Sequence, residues 1–346
     1  MLDASGVGAY LNGILPFFIQ SEHGFLLLGN AERLKSYASY HNVTVVPCEI
    51  KPFSLKALFF FPVGTTLKIN RADVFFSPFF NIPPVNIPVF TTIHDIIFPD
   101  MPELTGKIAL AARMFLYKRA YRISKKIFTV SEFSKSRIEH YLGNKKPVVV
   151  TNSAVQNKFF EYRKKNPNIK KAQTVIFIGN IKKHKGLDCL LDAFVSAKEE
   201  GLPHKLIIIG DKEKFRSNDN SVLKKINLLS EDSVSFSGYV WDEQLMESLS
   251  QASLLVQPSL YEGFGLPPLE AMVLGTHALI SDIPVFKEIY GGFPVSFFRA
   301  GDSIELKNKL MELLLEKTPP LPILPDDLLY KYSFKKIAAK ILKEFE

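Results

Sequence analysis

Short apolar runs alternate along the chain with longer segments of helical period, the pattern of parallel strands joined by helices. In the first half, residues 44–47, 74–77, 89–93, 126–130 and 148–151 are predicted strands, and 109–123 is a predicted helix. A polar, basic, proline-containing stretch, 161–173 (EYRKKNPNIKKAQ), reads as a linker. Beyond it the alternation restarts: strand 174–178, helix 186–197, then strands 205–210, 233–237, 254–257 and 278–281. Residues 332–345 close the chain with apolar side chains at helical spacing. The expectation is an α/β protein of two Rossmann-like domains, 1–165 and 172–330, with the helix of 332–346 packing back on the first. In such a pair, ligands bind where strand C-terminal ends face a shared central cleft.

A length of 346 residues fits two domains, and 47% hydrophobic with 23% charged residues excludes disordered or collagenous chains. Two cysteines, Cys48 and Cys189, support neither a disulfide framework nor a four-ligand zinc site, so a reducing, cytoplasmic setting is expected. No apolar run approaches the roughly 18 residues of a membrane span. The apolar stretch 9–19 lacks the basic n-region of a signal peptide, the first basic residue being Arg33. The net charge of +8 is uneven: residues 1–106 carry −2, 107–185 carry +17 and 186–346 carry −7. The middle band calls for a negative partner such as nucleic acid, anionic lipid or a nucleotide diphosphate.

Residues 257–275 read QPSLYEGFGLPPLEAMVLG. The apolar run before Gln257 puts Glu262, Gly263, Phe264, Gly265 and Leu266 on a loop at a strand's C-terminal end. Pro267 and Pro268 suit a first helical turn. The glycines allow close backbone approach to a ligand, and the helix start (265–269) is expected to bind an anion. Glu270 could then accept two hydroxyl protons from a neighbouring diol, while Glu262 would face whatever lies beyond the phosphates. A second loop, 179–186 (GNIKKHKG), follows a predicted strand and precedes a helix. Lys182, Lys183 and Lys185 there could stabilise the charge that develops on a departing diphosphate. His94 and Asp95 follow the run PVFTTI, where a neutral imidazole could donate to a sugar hydroxyl or steady an oxocarbenium-like carbon through a nearby carbonyl network. Ser131 is the expected N-cap of a helix.

Together these residues resemble a GT-B-fold retaining glycosyltransferase of family 4, whose E-x7-E motif Glu262 and Glu270 match. The resemblance runs from Ser5-Gly6-Val7-Gly8 through His94-Asp95, Val130–Ser134 and 179–186 to the glutamate motif, and lies closest to members building bacterial surface polysaccharide, many of them mannosyltransferases. It implies that Glu270 holds the donor's ribose, that Glu262 and His94 lie against the donor sugar, and that Lys185 binds the diphosphate. The family's arginine position is Asn180 here, so Lys182 is the candidate for the missing charge. Gly6 and Gly8 match the first glycine loop, which meets donor and acceptor. Gly238, Tyr239 and Val240 match the loop facing the nucleobase. The chain opens Met1-Leu2-Asp3 where the family has a full strand, so the first strand is expected to be truncated.

The implied function is transfer of a hexose, with mannose from GDP-mannose as the leading donor, to a glycan or polyprenyl-linked acceptor in O-antigen or capsule-type biosynthesis. Glu262, His94 and Lys185 are the expected catalytic residues, with no metal and no cofactor. A nucleotide-sugar 2-epimerase of the same fold and an inactive nucleotide-sugar-binding protein are the alternatives. Nucleic-acid binding is disfavoured because the basic band lacks a recognition-helix, OB or RRM signature. The basic, aromatic segment 113–126 (Arg113, Phe115, Leu116, Tyr117, Lys118, Arg119, Tyr121, Arg122, Lys125, Lys126) is expected to meet an anionic membrane peripherally, at its inner face.

Overall fold

The computed structural model describes residues 6–48, 71–210, 230, 232–238, 240–316 and 322–346. The chain divides into two compact units, Met1–Ala154 with Lys331–Glu346, and Val155–Tyr330.

The first unit opens with helix α1 (Gly6–Ile19). Strands β1 (Phe25–Gly29) and β2 (Val43–Pro47) form a parallel pair, and β3 (Phe75–Ser77), β4 (Val89–Thr92), β5 (Ser124–Thr129) and β6 (Val148–Val150) form a parallel four-stranded sheet in sequential order. Helix α2 (Lys107–Ile123) connects β4 to β5, and α3 (Glu132–Leu142) connects β5 to β6. Ser131 caps α3 by accepting the Ser134 backbone N–H at 3.0 Å, as expected for a serine placed before a helix. The C-terminal helix (Phe334–Lys343) lies on α1: Phe334, Ile337, Ala338 and Ile341 are buried with Tyr10, Ile14 and Phe18. Gly13 makes this approach feasible, since a Cβ there would meet the Phe334 ring at 2.3 Å.

The second unit starts with α4 (Asn157–Lys165) and contains β7 (Thr174–Ile178), α5 (Leu187–Glu199), β8 (Lys205–Ile209), β9 (Val234–Gly238), α6 (Asp242–Gln251), β10 (Leu254–Gln257), α7 (Pro267–Val273), β11 (His277–Ser281) and β12 (Ser296–Phe298). All six strands are parallel in the order β12-β11-β10-β7-β8-β9, a doubly wound Rossmann-like sheet. Burial on both faces explains its apolar runs: Val175, Ile176 and Phe177 of β7 and Leu254, Leu255 and Val256 of β10 are 0% exposed. The chain leaves β7 toward one side of the sheet and β10 toward the other, which makes the gap between their C-terminal ends the topological switch point.

Three expectations need correction. The segment expected to be a linker from Glu161 is helical to Lys165, with Phe159 buried beneath it. Its later part is docked as well, because Lys171 donates to the Ser250 carbonyl at 2.9 Å and to Thr276 Oγ1 at 2.6 Å. Burial lowers that ammonium to about 8, with Arg163 adding to the effect. Strand β1 was not foreseen: Phe25-Leu26-Leu27-Leu28-Gly29 is short, and Leu26 is 39% exposed. Gly6 and Gly8, expected on a loop, lie in the first turn of α1, where Gly8 is buried, because the apolar positions Tyr10, Ile14, Leu15 and Phe18 behind them recur at helical spacing and are buried. Residues 1–5, where the truncated strand was expected, lie outside the described residues.

Candidate active site

The loops after β7 and β10 are stitched together at the switch point. The His184 carbonyl accepts the backbone N–H of Leu260 at 2.7 Å and of Tyr261 at 3.4 Å. Gly186 follows, with φ +69°, and a Cβ there would stand 1.9 Å from the Pro258 carbonyl oxygen. This contact requires glycine on two counts, conformation and space. It also fixes where the preceding side chain goes: Lys185 Nζ donates to Glu262 Oε1 at 2.6 Å. The same oxygen accepts from Ser259 Oγ at 2.8 Å, and Ser259 Oγ accepts from Gln257 Nε2 at 3.0 Å. The Ser259 carbonyl is in turn held by Ser281 Oγ at 2.5 Å. Glu262, only 10% exposed at its side chain, thus sits between a cation and a buried hydrogen-bonded chain.

Beyond Glu262 the loop is shaped by Gly265. Its φ is +79°, and a Cβ would meet Phe286 Cε1 at 2.4 Å. Its carbonyl accepts the Tyr290 hydroxyl. Phe264 is buried, while Gly263 is enclosed with it. Pro267 and Pro268 open α7 as expected, and they narrow the anion site expected over 265–269 to the N–H groups of Gly265 and Leu266. Neither proline has an N–H, and the next two, on Leu269 and Glu270, both bond to the Leu266 carbonyl at 2.9 and 3.1 Å.

Glu270 lies in the first turn of α7, and burial pushes its carboxyl up to about 7. Lys158 of α4 opposes that shift, and Asp242 at the start of α6 adds to it. Lys158 and Asp242 are themselves ion-paired. Sequence reasoning missed this pair, which is separated from Glu270 by long stretches of chain. It also missed Ser259 and Gln257; the one visible signal was a polar residue closing the apolar run LLVQ.

Lys182 and Lys183 are exposed and, with Asp188, Cys189 and Asp192, line a separate recess of about 370 Å³. Asn180 is exposed at the loop's start, and its carbonyl accepts the Lys182 N–H at 2.9 Å. His184 is neutral: burial, then Lys185 and Lys182, lower it to about 3. The ends of β8 and β9 also close in here. The Gly210 N–H donates to the Gly238 carbonyl at 3.1 Å, and the Gly179 N–H to the Ile209 carbonyl at 3.0 Å. Val240 follows β9 and is partly exposed, whereas Tyr239 lies outside the described residues.

In the first unit, His94 follows β4 and packs edge-on to Tyr10, with ring centroids 5.0 Å apart. Its Nε2 lies 3.0 Å from the Pro78 carbonyl, and burial lowers the ring to about 4. A carbonyl oxygen only accepts, so in a neutral imidazole Nε2 carries the proton and Nδ1 is left as an acceptor. The expectation that His94 donates to a sugar is therefore reversed: Nδ1 can only accept. Ser134 Oγ donates to the His94 carbonyl at 3.1 Å and holds the backbone in place. Among the described residues, no three His, Cys, Asp or Glu side chains converge to hold a metal ion.

Two Rossmann-like units, each built on parallel strands, are the ingredients of the GT-B fold, and the second carries the Lys185–Glu262 pair at its switch point. Residues 158–322 match the family described as glycosyl transferases group 1. The chain is 28% identical over 238 residues to O-antigen chain mannosyltransferase B of Escherichia coli, an alignment covering 65% of this chain and 61% of that one. It is 29% identical over 203 residues to O-antigen chain mannosyltransferase RfbU of Salmonella typhimurium, covering 57% and 53%. The alignments thus span little more than half the length of these relatives. In fold it resembles HepE of Anabaena, solved with UDP-glucose, at a TM-score of 0.70 and 18% identity over 99% of this chain and 96% of that one. Sucrose-phosphate synthase of Thermosynechococcus elongatus has a TM-score of 0.67 at 16% identity, over 92% and 98%.

Proposed function

We propose that the protein is a retaining glycosyltransferase that moves a hexose, mannose from GDP-mannose in the first instance, to a glycan or polyprenyl-linked acceptor in surface-polysaccharide assembly. The observation that carries this reading is the contact between Lys185 and Glu262 at the switch point. It sets a cation for a diphosphate beside an acid for a sugar. The O-antigen mannosyltransferase relatives favour mannose over other hexoses.

In this mechanism the bond from the anomeric carbon to the diphosphate oxygen breaks while the acceptor oxygen approaches on the same face, through a short-lived ion pair. Lys185 neutralises the charge that gathers on the leaving diphosphate, which takes up the acceptor's proton as it departs. Glu262, its Oε1 fixed by Ser259 and Lys185, orients the sugar hydroxyls, and Glu270 accepts the ribose hydroxyls. His94 is assigned to a sugar hydroxyl as an acceptor through Nδ1. With Asn180 in place of an arginine, Lys185 bears most of the diphosphate's charge and Lys182 is the second candidate. A cytoplasmic setting is consistent with a sequence of only two cysteines, Cys48 and Cys189.

The test is a thermal-shift comparison of GDP, UDP and dTDP sugars, followed by nucleotide release from the stabilising donor. Release from GDP-mannose that increases with a glycan acceptor supports the reading. Interconversion of two sugars without acceptor would replace it with an epimerase.

A further inference from the structure

Between Leu104 and Ser131 the sequence places seven basic residues and no acidic one. The fold divides them. Arg113 stacks 3.7 Å over the Phe98 ring, Arg119 donates to the Ile82 carbonyl at 2.6 Å, and Lys126 pairs with Glu344 at 2.5 Å. Those three serve the unit's own packing, as do the buried rings of Tyr117 and Tyr121. Lys107, Lys118, Arg122 and Lys125 remain exposed. The outer face of α2 also presents apolar side chains to solvent: Ile108 is 89% exposed, Phe115 59% and Ile123 38%. Residues 108, 115 and 122 are spaced seven apart, with 111 and 118 three further on from the first two, so they share one stripe along the helix.

A second element joins this stripe at its basic end. The Tyr121 hydroxyl donates to the Gly143 carbonyl at 2.7 Å and accepts the Lys146 N–H at 3.0 Å. Lys146 Nζ donates to the Ser124 carbonyl at 2.6 Å and to that of Arg122, where α2 ends. This fastens the loop after α3 against the helix end and sets exposed Lys145 beside Lys118 and Arg122. Together they line a recess of about 320 Å³ that holds four basic side chains and no acid. Its size and charge suit a phosphate-bearing headgroup, and the apolar stripe beside it suits the boundary where headgroups meet acyl chains. Among the described residues, no helix is long and apolar enough to cross a membrane.

We propose that this face of α2 docks on an anionic bilayer, with lipid phosphates in the Lys118–Arg122–Lys145 recess and with Phe115 and Ile108 entering the headgroup region. Charge complementarity selects the bilayer: the cations form one cluster next to exposed apolar side chains, an arrangement a duplex nucleic acid would not exploit.

The full chain, without donor or acceptor, is sedimented with vesicles of phosphatidylcholine alone and with about 30% phosphatidylglycerol, a mixture carrying the surface charge such clusters read. Binding is expected only to the anionic vesicles and should weaken with added salt. At about fivefold per neutralised cation, Lys118→Gln with Arg122→Gln should lower the partition coefficient about 25-fold. Phe115→Ser should lower it about tenfold, and Lys335→Gln, an exposed lysine of the C-terminal helix, should leave it unchanged. Equal binding to neutral vesicles, undiminished binding by the double variant, or tighter binding of that surface to duplex RNA would overturn the proposal. Because no sugar donor enters the assay, its failure would leave the transferase reading intact.

Discussion

Gly186 stands so close to Pro258 that a Cβ would lie 1.9 Å from the proline's carbonyl oxygen. This one contact joins the two loops that carry Lys185 and Glu262. A single methyl group there forces the loops apart, and the αL backbone at φ +69° adds strain of its own.

Gly186→Ala should therefore destabilise the fold by about 3 kcal/mol. Gly201→Ala is the control, since Gly201 also has positive φ (+94°) but nothing within 4 Å of the added Cβ. It should cost only about 1 kcal/mol. Urea denaturation of both variants measures the difference, and equal losses would show that the loop contact is unimportant.

Glu262→Gln keeps an oxygen able to accept from Ser259 and Lys185 while removing the negative charge. Stability should change by less than about 1 kcal/mol, and transfer should fall about 100-fold or more. Steady-state kinetics alongside a thermal melt checks both halves. Unaltered turnover would remove Glu262 from the chemistry.

The raised Glu270 carboxyl makes a signed prediction about pH. Its folded pKa of about 7 lies above the ordinary carboxylate value of 4.5. Between those values the native state holds a proton that the unfolded chain has released, so this group's stabilisation is full below about 4.5 and is lost as pH rises toward 7. Glu270→Gln should match the parent at pH 5, melt higher than it at pH 8, and bind nucleoside diphosphate about tenfold more weakly. A melt difference independent of pH would contradict the shift.

His94 and His184 act in the opposite sense. Burial lowers them to about 4 and about 3, from 6.5. Their stabilisation is full above 6.5 and is lost as pH falls through the interval, because the unfolded chain binds protons that the native state refuses. The urea midpoint should fall between pH 7 and pH 4.5, and His184→Gln should flatten that fall. An unchanged slope in the variant would mean that His184 is not held neutral.

The strands of the second unit were legible because a parallel sheet buried on both faces writes itself as apolar runs: 174–178 and 254–257 coincide with β7 and β10. Lys185 and Glu262 could be singled out because glycine, lysine and glutamate cluster where a strand hands over to a helix. What lay hidden depends on tertiary contact. The Lys158–Asp242 pair near Glu270 brings together residues 84 apart in sequence. The tautomer of His94 is set by Pro78, and the neglect of β1 follows from its half-exposed face. The two prolines of α7 were legible as a helix start, and they leave the N–H groups of Gly265 and Leu266 as the donors of the expected anion site.

The most direct test of the nucleotide-sugar site is calorimetric titration of GDP and UDP into the parent protein and Lys185→Ala. A cation hydrogen-bonded to a diphosphate contributes about 1.5–3 kcal/mol. One of the two nucleotides should therefore bind the parent, and the variant should bind it about 10- to 150-fold more weakly. Equal affinity in parent and variant, or no binding of either nucleotide by the parent, would contradict the account.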